Sequence, residues 1–415
     1  MTRKILIAWE LGGGLGHALR MAPLAQRFMD EGCEVTLVVR DLSHPQLTAK
    51  KLNCRVLQAP LSQVPAPRFK HETYADLLIE SGYVNSQNLF SLVTAWKSLF
   101  DLIQPDLVLM DFAPTALLAA RICGIKSAWY GSGFFYPPMT TPLPSFRHWE
   151  KDQKNDQNQR ELDVLRSVNS VLAREERPEL PRLVDMFKVD RNFLCTWPEL
   201  DCYDRPPDTL YWGECFAPAV GAETSSDVER EYQVFCYLKA GQIEAEGVLD
   251  ALRSLQISAL VFIRNIPEKW VQKYESKHLR FAKEAIHMDS LIPRARFVIC
   301  SAGVGTIASA LLAGKPMLLI PIYTEQFGNA VKIEKLGAGI NAKGTIRSDL
   351  RQLIKRLIDD PSYAEKAEAF ARKYTGFSTS SQMENMVDSC LSLLTAIPSH
   401  TSIDCPTPLQ SQATS

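Results

Sequence analysis

No stretch of this 415-residue sequence approaches the ~18 consecutive apolar residues of a membrane-spanning helix, so the sequence predicts no integral membrane segment. It has no C-x-x-C pair and no Cys/His spacing suited to a metal, and its ten cysteines are scattered, several inside apolar runs (Cys123, Cys236, Cys300). A disulfide framework and a bound metal are therefore both excluded as expectations, and reduced thiols acting as small hydrophobes fit a cytoplasmic protein. An excess of one charge is missing too. Lys and Arg number 46 against 47 for Asp and Glu, which gives nothing to draw nucleic acid or an anionic surface. After Met1-Thr2-Arg3-Lys4 the apolar run is only five residues, too short for a secretory signal, and the first strand is expected at once.

With 46% hydrophobic and 22% charged residues, the chain has ample material for two ordinary cores and is too long for one. Continuously apolar runs followed by helical patterns recur. Strands are expected at Ile5 to Trp9, Glu34 to Val39, Asp106 to Asp111 and Ser127 to Tyr130, with helices at His17 to Glu31, Asn85 to Ile103 and Pro114 to Ile122. A second series follows: strands Gln233 to Leu238, Ala259 to Ile263, Arg296 to Cys300 and Pro316 to Pro321, and helices Ile243 to Leu255, Thr306 to Ala313 and Phe327 to Leu336. Alternation of this kind specifies an α/β protein with two tandem doubly wound, Rossmann-like parallel sheets. The polar segment Phe146 to Arg182 reads as an exposed loop and a helix, and the proline-rich stretch Pro198 to Val228 as the link between domains. The expected division is residues 1–222, residues 229–377, a closing helix over 378–396 and a disordered tail over 397–415.

Two loops carry candidate chemistry. Gly12-Gly13-Gly14-Leu15-Gly16-His17 lies beyond the carboxyl end of the first strand, where doubly wound sheets bind ligands. It is not a G-x-G-x-x-G fingerprint, and no acidic residue closes the second strand at Val38-Val39-Arg40, which argues against a nicotinamide cofactor. The glycines alone serve a tight turn as well as a ligand. His17 adds a base, because the first turn of a helix disfavours an imidazolium. Asp111, ending a buried strand, would emerge at the same sheet edge to orient the imidazole, or would instead cap the helix that begins near Pro114. Arg20, one turn after His17, faces either the same site or solvent. In the second series, Ser301-Ala302-Gly303-Val304-Gly305-Thr306 joins a strand to a helix, either as a tight turn with Thr306 as the helix cap or as a site where free backbone N–H groups and the helix dipole converge on a spot suited to a diphosphate. Lys239-Ala240-Gly241 is a further candidate contact or equally a helix-entry turn, and the aromatics Trp129, Tyr130, Phe134, Phe135 and Tyr136 line an acceptor pocket or the core.

From Val298 to Gly339 the text Ser301-Ala-Gly-Val-Gly-Thr306, Leu311-Leu-Ala-Gly-Lys-Pro316, Ile320-Pro321, Thr324-Glu325-Gln326 and Asn329-Ala330 resembles the nucleotide-sugar-binding signature of the UDP-glycosyltransferase superfamily. Gly14-Leu-Gly-His17, Pro23-Leu-Ala25 and Pro105-Asp106 leading to Asp111 resemble the acceptor-side domain of the same superfamily. The resemblance implies a GT-B fold with an interdomain cleft and the closing helix returning to the first domain. It also implies inverting, metal-independent transfer from a UDP- or dTDP-sugar to an acceptor hydroxyl on a small molecule or lipid, with no further cofactor. His17 would be the base and Asp111 its partner; Ser301, Gly303, Gly305 and Thr306 would cradle the diphosphate; Glu325 and Gln326 would bind the sugar, with Gly14 and Gly241 as added donor contacts. Ser301 and Ser309 stand where many members have His and Glu, and the base-stacking position falls near Ile286 to Met288 without the usual Trp. A non-catalytic nucleotide-sugar-binding homologue and a nucleotide-sugar 2-epimerase are the alternatives. Oligomeric state, sugar and acceptor are not legible.

Overall fold

The computed structural model describes residues 2–13, 15–43, 52–65, 70–150, 154–203, 205–215, 232–239, 243–264, 266–282 and 288–395. The chain forms two units, Met1–Phe216 together with Ser378–Ser415, and Ala217–Phe377. Each unit is built on a six-stranded, wholly parallel sheet.

In the first unit the strands are β1 (Lys4–Trp9), β2 (Glu34–Val39), β3 (Arg55–Gln58), β4 (Leu107–Asp111), β5 (Lys126–Gly131) and β6 (Arg191–Leu194), ordered β3-β2-β1-β4-β5-β6. The apolar run of β1 feeds two cores because side chains alternate across a strand. Leu6 and Ala8 join Val108 and Met110 in one layer, while Ile5, Ile7 and Trp9 join Leu107 and Leu109 in the other. Helices Tyr74–Glu80, Ser86–Ile103, Pro114–Cys123 and Lys154–Arg174 cover the first layer. The second is covered by helix Leu15–Asp30 and by helix Thr379–Thr395, which returns to add Met383, Met386, Val387, Cys390 and Leu393 to that core. Arg27 ties the two helices at their surface through Ser380, at 2.6 Å, and Glu384, at 2.7 Å.

The second unit repeats the order with β7 (Val234–Lys239), β8 (Ala259–Arg264), β9 (Leu279–Phe281), β10 (Phe297–Cys300), β11 (Met317–Leu319) and β12 (Gly339–Asn341), arranged β12-β11-β10-β7-β8-β9. In both sheets the first and fourth strands are neighbours, so the strand order reverses between β1 and β4 and between β7 and β10. Doubly wound sheets bind ligands at that reversal.

The expected sheets had four strands each. The two added to each are its edge strands, β3 and β6 in the first and β9 and β12 in the second. The proline-rich stretch read as a link is ordered as far as Cys215 among the described residues, and the N–H groups of Trp212 and Gly213 donate to the carbonyls of Leu194, at the end of β6, and Thr196 just beyond it. The tail over 397–415 lies outside the described residues.

Candidate active site

At the reversal of the first sheet, β1 and β4 are paired so that Trp9 lies opposite Asp111. The chain then turns through Gly12, whose φ of +74° is a glycine conformation, and enters helix Leu15–Asp30. His17 falls in the first turn of that helix, and its Nδ1 lies 2.9 Å from Asp111 Oδ2. The imidazole stacks on Trp9, with ring centroids 5.0 Å apart and planes 17° apart, and touches Phe135 at 5.6 Å. A Cβ on Gly12 would stand 3.1 Å from His17 Nε2, so the second ring nitrogen faces the glycine turn. With Nδ1–H donated to the carboxylate, the lone pair is on Nε2, the geometry of an oriented base.

Asp111 is fully buried, and Arg20 reaches both of its oxygens at 3.4 Å while donating to Glu214 Oε1 at 3.3 Å. Burial alone would raise the Asp111 carboxyl, but Arg20 and His17 outweigh burial and hold it below the usual carboxylate range. His17, Arg20, Asp111 and Glu214 are each 7% exposed or less, so the four form a buried charge network. Arg20 therefore faces the site, not solvent. Glu214 was not singled out in the sequence, since it sits in the stretch read as a link.

The capping role open to Asp111 belongs to another residue. Helix Pro114–Cys123 has Ala113 at its N-cap, and the carboxylate of Glu10 accepts the N–H groups of Thr115 at 2.9 Å and Ala116 at 3.3 Å. Phe112, between Asp111 and that helix, takes φ +51°, a strained value of the kind that collects at functional sites.

At the reversal of the second sheet, β10 is followed by Ser301 and Ala302, both buried, and by helix Val304–Leu312 with Gly303 at its N-cap. Ala302 has φ +59°, and its carbonyl accepts a hydrogen bond from Asn329 Nδ2 at 3.1 Å, which fixes the turn. A Cβ on Gly303 would meet nothing within 4 Å, so the space before this helix start is open. The helix begins at Val304, two residues earlier than expected, so Thr306 is not its cap; it is buried in the first turn with its hydroxyl 3.5 Å from Met288 Sδ. Gly305 is part-buried in the same turn, and Ser309 is buried further along the helix.

Glu325 and Gln326 lie in the first turn of helix Thr324–Leu336, not ahead of it as the sequence suggested. Gln326 Oε1 accepts the Ile322 N–H at 2.9 Å. Lys239 ends β7 with its ammonium 4.8 Å from the centre of the Tyr323 ring. Trp129 and Tyr130 are core residues of β5, whereas Phe135 touches His17. Gly14, Gly241, Ile286 and His287 lie outside the described residues. Among the described residues no group of three or more His, Cys, Asp or Glu side chains is placed to hold a metal ion, and no helix is long and apolar enough to cross a membrane.

Residues 248–382 match the glycosyltransferase family 28 C-terminal domain. The fold matches spinosyn rhamnosyltransferase SpnG with a TM-score of 0.66 at 16% identity, over 95% of this chain and 100% of that one. The chain has the GT-B fold. A sterol 3-beta-glucosyltransferase of Vanderwaltozyma polyspora is 27% identical over 408 residues, covering 87% of the GT-B chain but 32% of the relative. The chain thus spans about a third of that relative's length. A PGL/p-HBAD biosynthesis glycosyltransferase of Mycobacterium tuberculosis is 22% identical, covering 71% of this GT-B protein and 74% of the relative.

Proposed function

We propose that this protein transfers a sugar from a UDP- or dTDP-sugar to a hydroxyl of an apolar acceptor, with inversion and without a metal. The observation that carries the reading is the His17–Asp111 contact at the reversal of the first sheet, a base held by a buried carboxylate. In the proposed reaction Nε2 of His17 takes the acceptor proton as the hydroxyl oxygen bonds to the anomeric carbon, and the bond from that carbon to the diphosphate oxygen breaks. The leaving diphosphate is received by the N–H groups and dipole of the helix starting at Gly303, with Ser301 and Thr306 as hydroxyl donors. Glu325 and the amide of Gln326 bind the sugar hydroxyls.

An apolar acceptor suits the aromatic surroundings of the imidazole, Trp9 and Phe135, with Phe112 stacked on Phe135 at 4.1 Å. It also suits the relatives: one is named for a sterol, and spinosyn rhamnosyltransferase SpnG is complexed with spinosyn aglycone in one structure and with thymidine diphosphate in another. A reducing, cytoplasmic setting suits Cys33, Cys54, Cys123, Cys195, Cys215, Cys236, Cys300 and Cys390, which carry free thiols.

The reading is tested by thermal shift with UDP, dTDP and their hexoses, followed by NMR of the product formed with sterol and aglycone acceptors. A ligand at 100 times its dissociation constant adds about 2.7 kcal/mol of stability. Binding without release of nucleoside diphosphate for any acceptor would favour the silent binder, and a product with retained anomeric configuration would exclude the single displacement.

A further inference from the structure

The segment from Pro198 to Cys215 carries a buried ion pair that the proposed reaction does not use. Arg205 Nε lies 2.6 Å from Asp201 Oδ2, and the two side chains are 5% and 1% exposed. Such a pair adds little net stability over an apolar pair of the same size, because desolvation consumes most of the attraction. What it fixes is geometry. The Arg205 Nη2 donates to the carbonyl of Gly133 at 3.0 Å and to that of Tyr136, gripping both ends of the turn Gly133–Phe135. Asp201 is itself held: Oδ1 accepts the Tyr203 N–H at 3.0 Å, and Oδ2 accepts the Tyr211 hydroxyl at 3.0 Å. Residue 133 has to be glycine here, since a Cβ would stand 2.9 Å from Asp201 Oδ1. The gripped turn ends in Phe135, whose ring touches His17 and stacks on Phe112.

We propose that Asp201 and Arg205 are positioning residues for His17: they lock the turn that presses Phe135 against the imidazole, and so keep His17 in the orientation that Asp111 holds. The inference rests on His17 as the base, but its physical content does not need turnover. An Arg fork satisfies two carbonyls and a carboxylate at once, a task a lysine cannot perform.

The test is the rate at which diethyl pyrocarbonate modifies His17 in the full chain, followed by peptide mass mapping, with His71 and His278 as internal references. Arg205→Met should speed modification of His17 roughly tenfold, the factor one charge-assisted hydrogen bond is worth, and Phe135→Ala, which removes the ring contact itself, should speed it at least as much. The two reference histidines should keep their rates. The double variant should react no faster than the faster single one, because both changes release the same contact. An unchanged His17 rate in Arg205→Met, or a double-variant rate equal to the product of the two single factors, overturns the proposal. If Arg205→Met lacks a cooperative melting transition, Arg205→Lys replaces it and should show the same selective gain at His17; no gain there overturns the proposal equally. Unimpaired turnover in His17→Ala would instead remove the base itself, an outcome the modification rates cannot mimic.

Discussion

The Glu10 carboxylate accepts the Thr115 backbone N–H at 2.9 Å, and in doing so caps the helix that follows β4. Asp111, the residue in position to cap that helix by sequence, is thereby left to His17 and Arg20. The cap is costly in one respect: burial pushes the Glu10 carboxyl up to about 7 despite the N–H groups it accepts and the nearby Arg40. Because its folded value lies above the unfolded one of 4.5, the folded state holds the proton more tightly, and stability falls as pH rises from about 4.5 to about 7. Glu10→Gln keeps an acceptor for Thr115 and removes the titration. Its unfolding free energy, measured against wild type from pH 5 to 8, should gain on wild type as pH rises, by up to roughly 3 kcal/mol at 1.36 kcal/mol per unit. A constant difference across that range would show that Glu10 does not titrate there.

For the proposed base, His17→Ala should lower turnover by about 10²- to 10⁴-fold, the usual contribution of a positioned proton acceptor. Affinity for the nucleotide sugar should stay within a factor of about two, as the base acts on the acceptor side. Asp111→Asn should act in the same direction more mildly, and the double change should cost less than the sum of the separate losses. Turnover of His17→Ala within about threefold of wild type would end the assignment.

Arg20 lies between two buried carboxylates, Asp111 and Glu214. Arg20→Ala removes the guanidinium that both carboxylates contact and should destabilise the protein by about 3–5 kcal/mol in denaturant unfolding. Adding Glu214→Gln should recover part of that loss by removing one uncompensated charge. A double variant no more stable than Arg20→Ala would mean that Glu214 feels no charge from Arg20.

Gly303→Asp places a carboxylate at the open start of helix Val304–Leu312 without a clash, since a Cβ there meets nothing within 4 Å. The melting temperature should hold. Titration with UDP or dTDP should show affinity reduced by about tenfold or more, as expected for removing a charge-assisted contact and adding repulsion. Unchanged affinity for every accepted nucleotide would move the phosphate site elsewhere.

Which parts of the molecule could be read from sequence follows from where each strand lies in its sheet. The eight central strands are apolar on both faces, so runs such as Ile5 to Trp9 and Phe297 to Cys300 announce them. The four edge strands went unread. Arg55–Gln58 is half-exposed and Gly339–Asn341 has three residues, too little for a period to show. His17 and Asp111 were legible because each closes or opens an element at a sheet edge. Glu214 and the Asp201–Arg205 pair were hidden because prolines in their stretch read as a link, though those prolines shape a folded loop. Glu325 and Gln326 were placed ahead of a helix that in fact includes them, for Tyr323, the N-cap residue, gives no side-chain capping signal.

The return of helix Thr379–Thr395 to the first unit has a consequence for synthesis. The face formed by Ala18, Met21, Leu24 and Phe28 is completed by Met383, Met386 and Leu393, which are made only after the whole second unit. At ~5–20 residues per second, that face waits tens of seconds on the ribosome while the chain between is translated. The first unit cannot finish folding when its own first two hundred residues emerge, and the nascent chain carries an apolar surface for chaperones to shield until helix Thr379–Thr395 arrives.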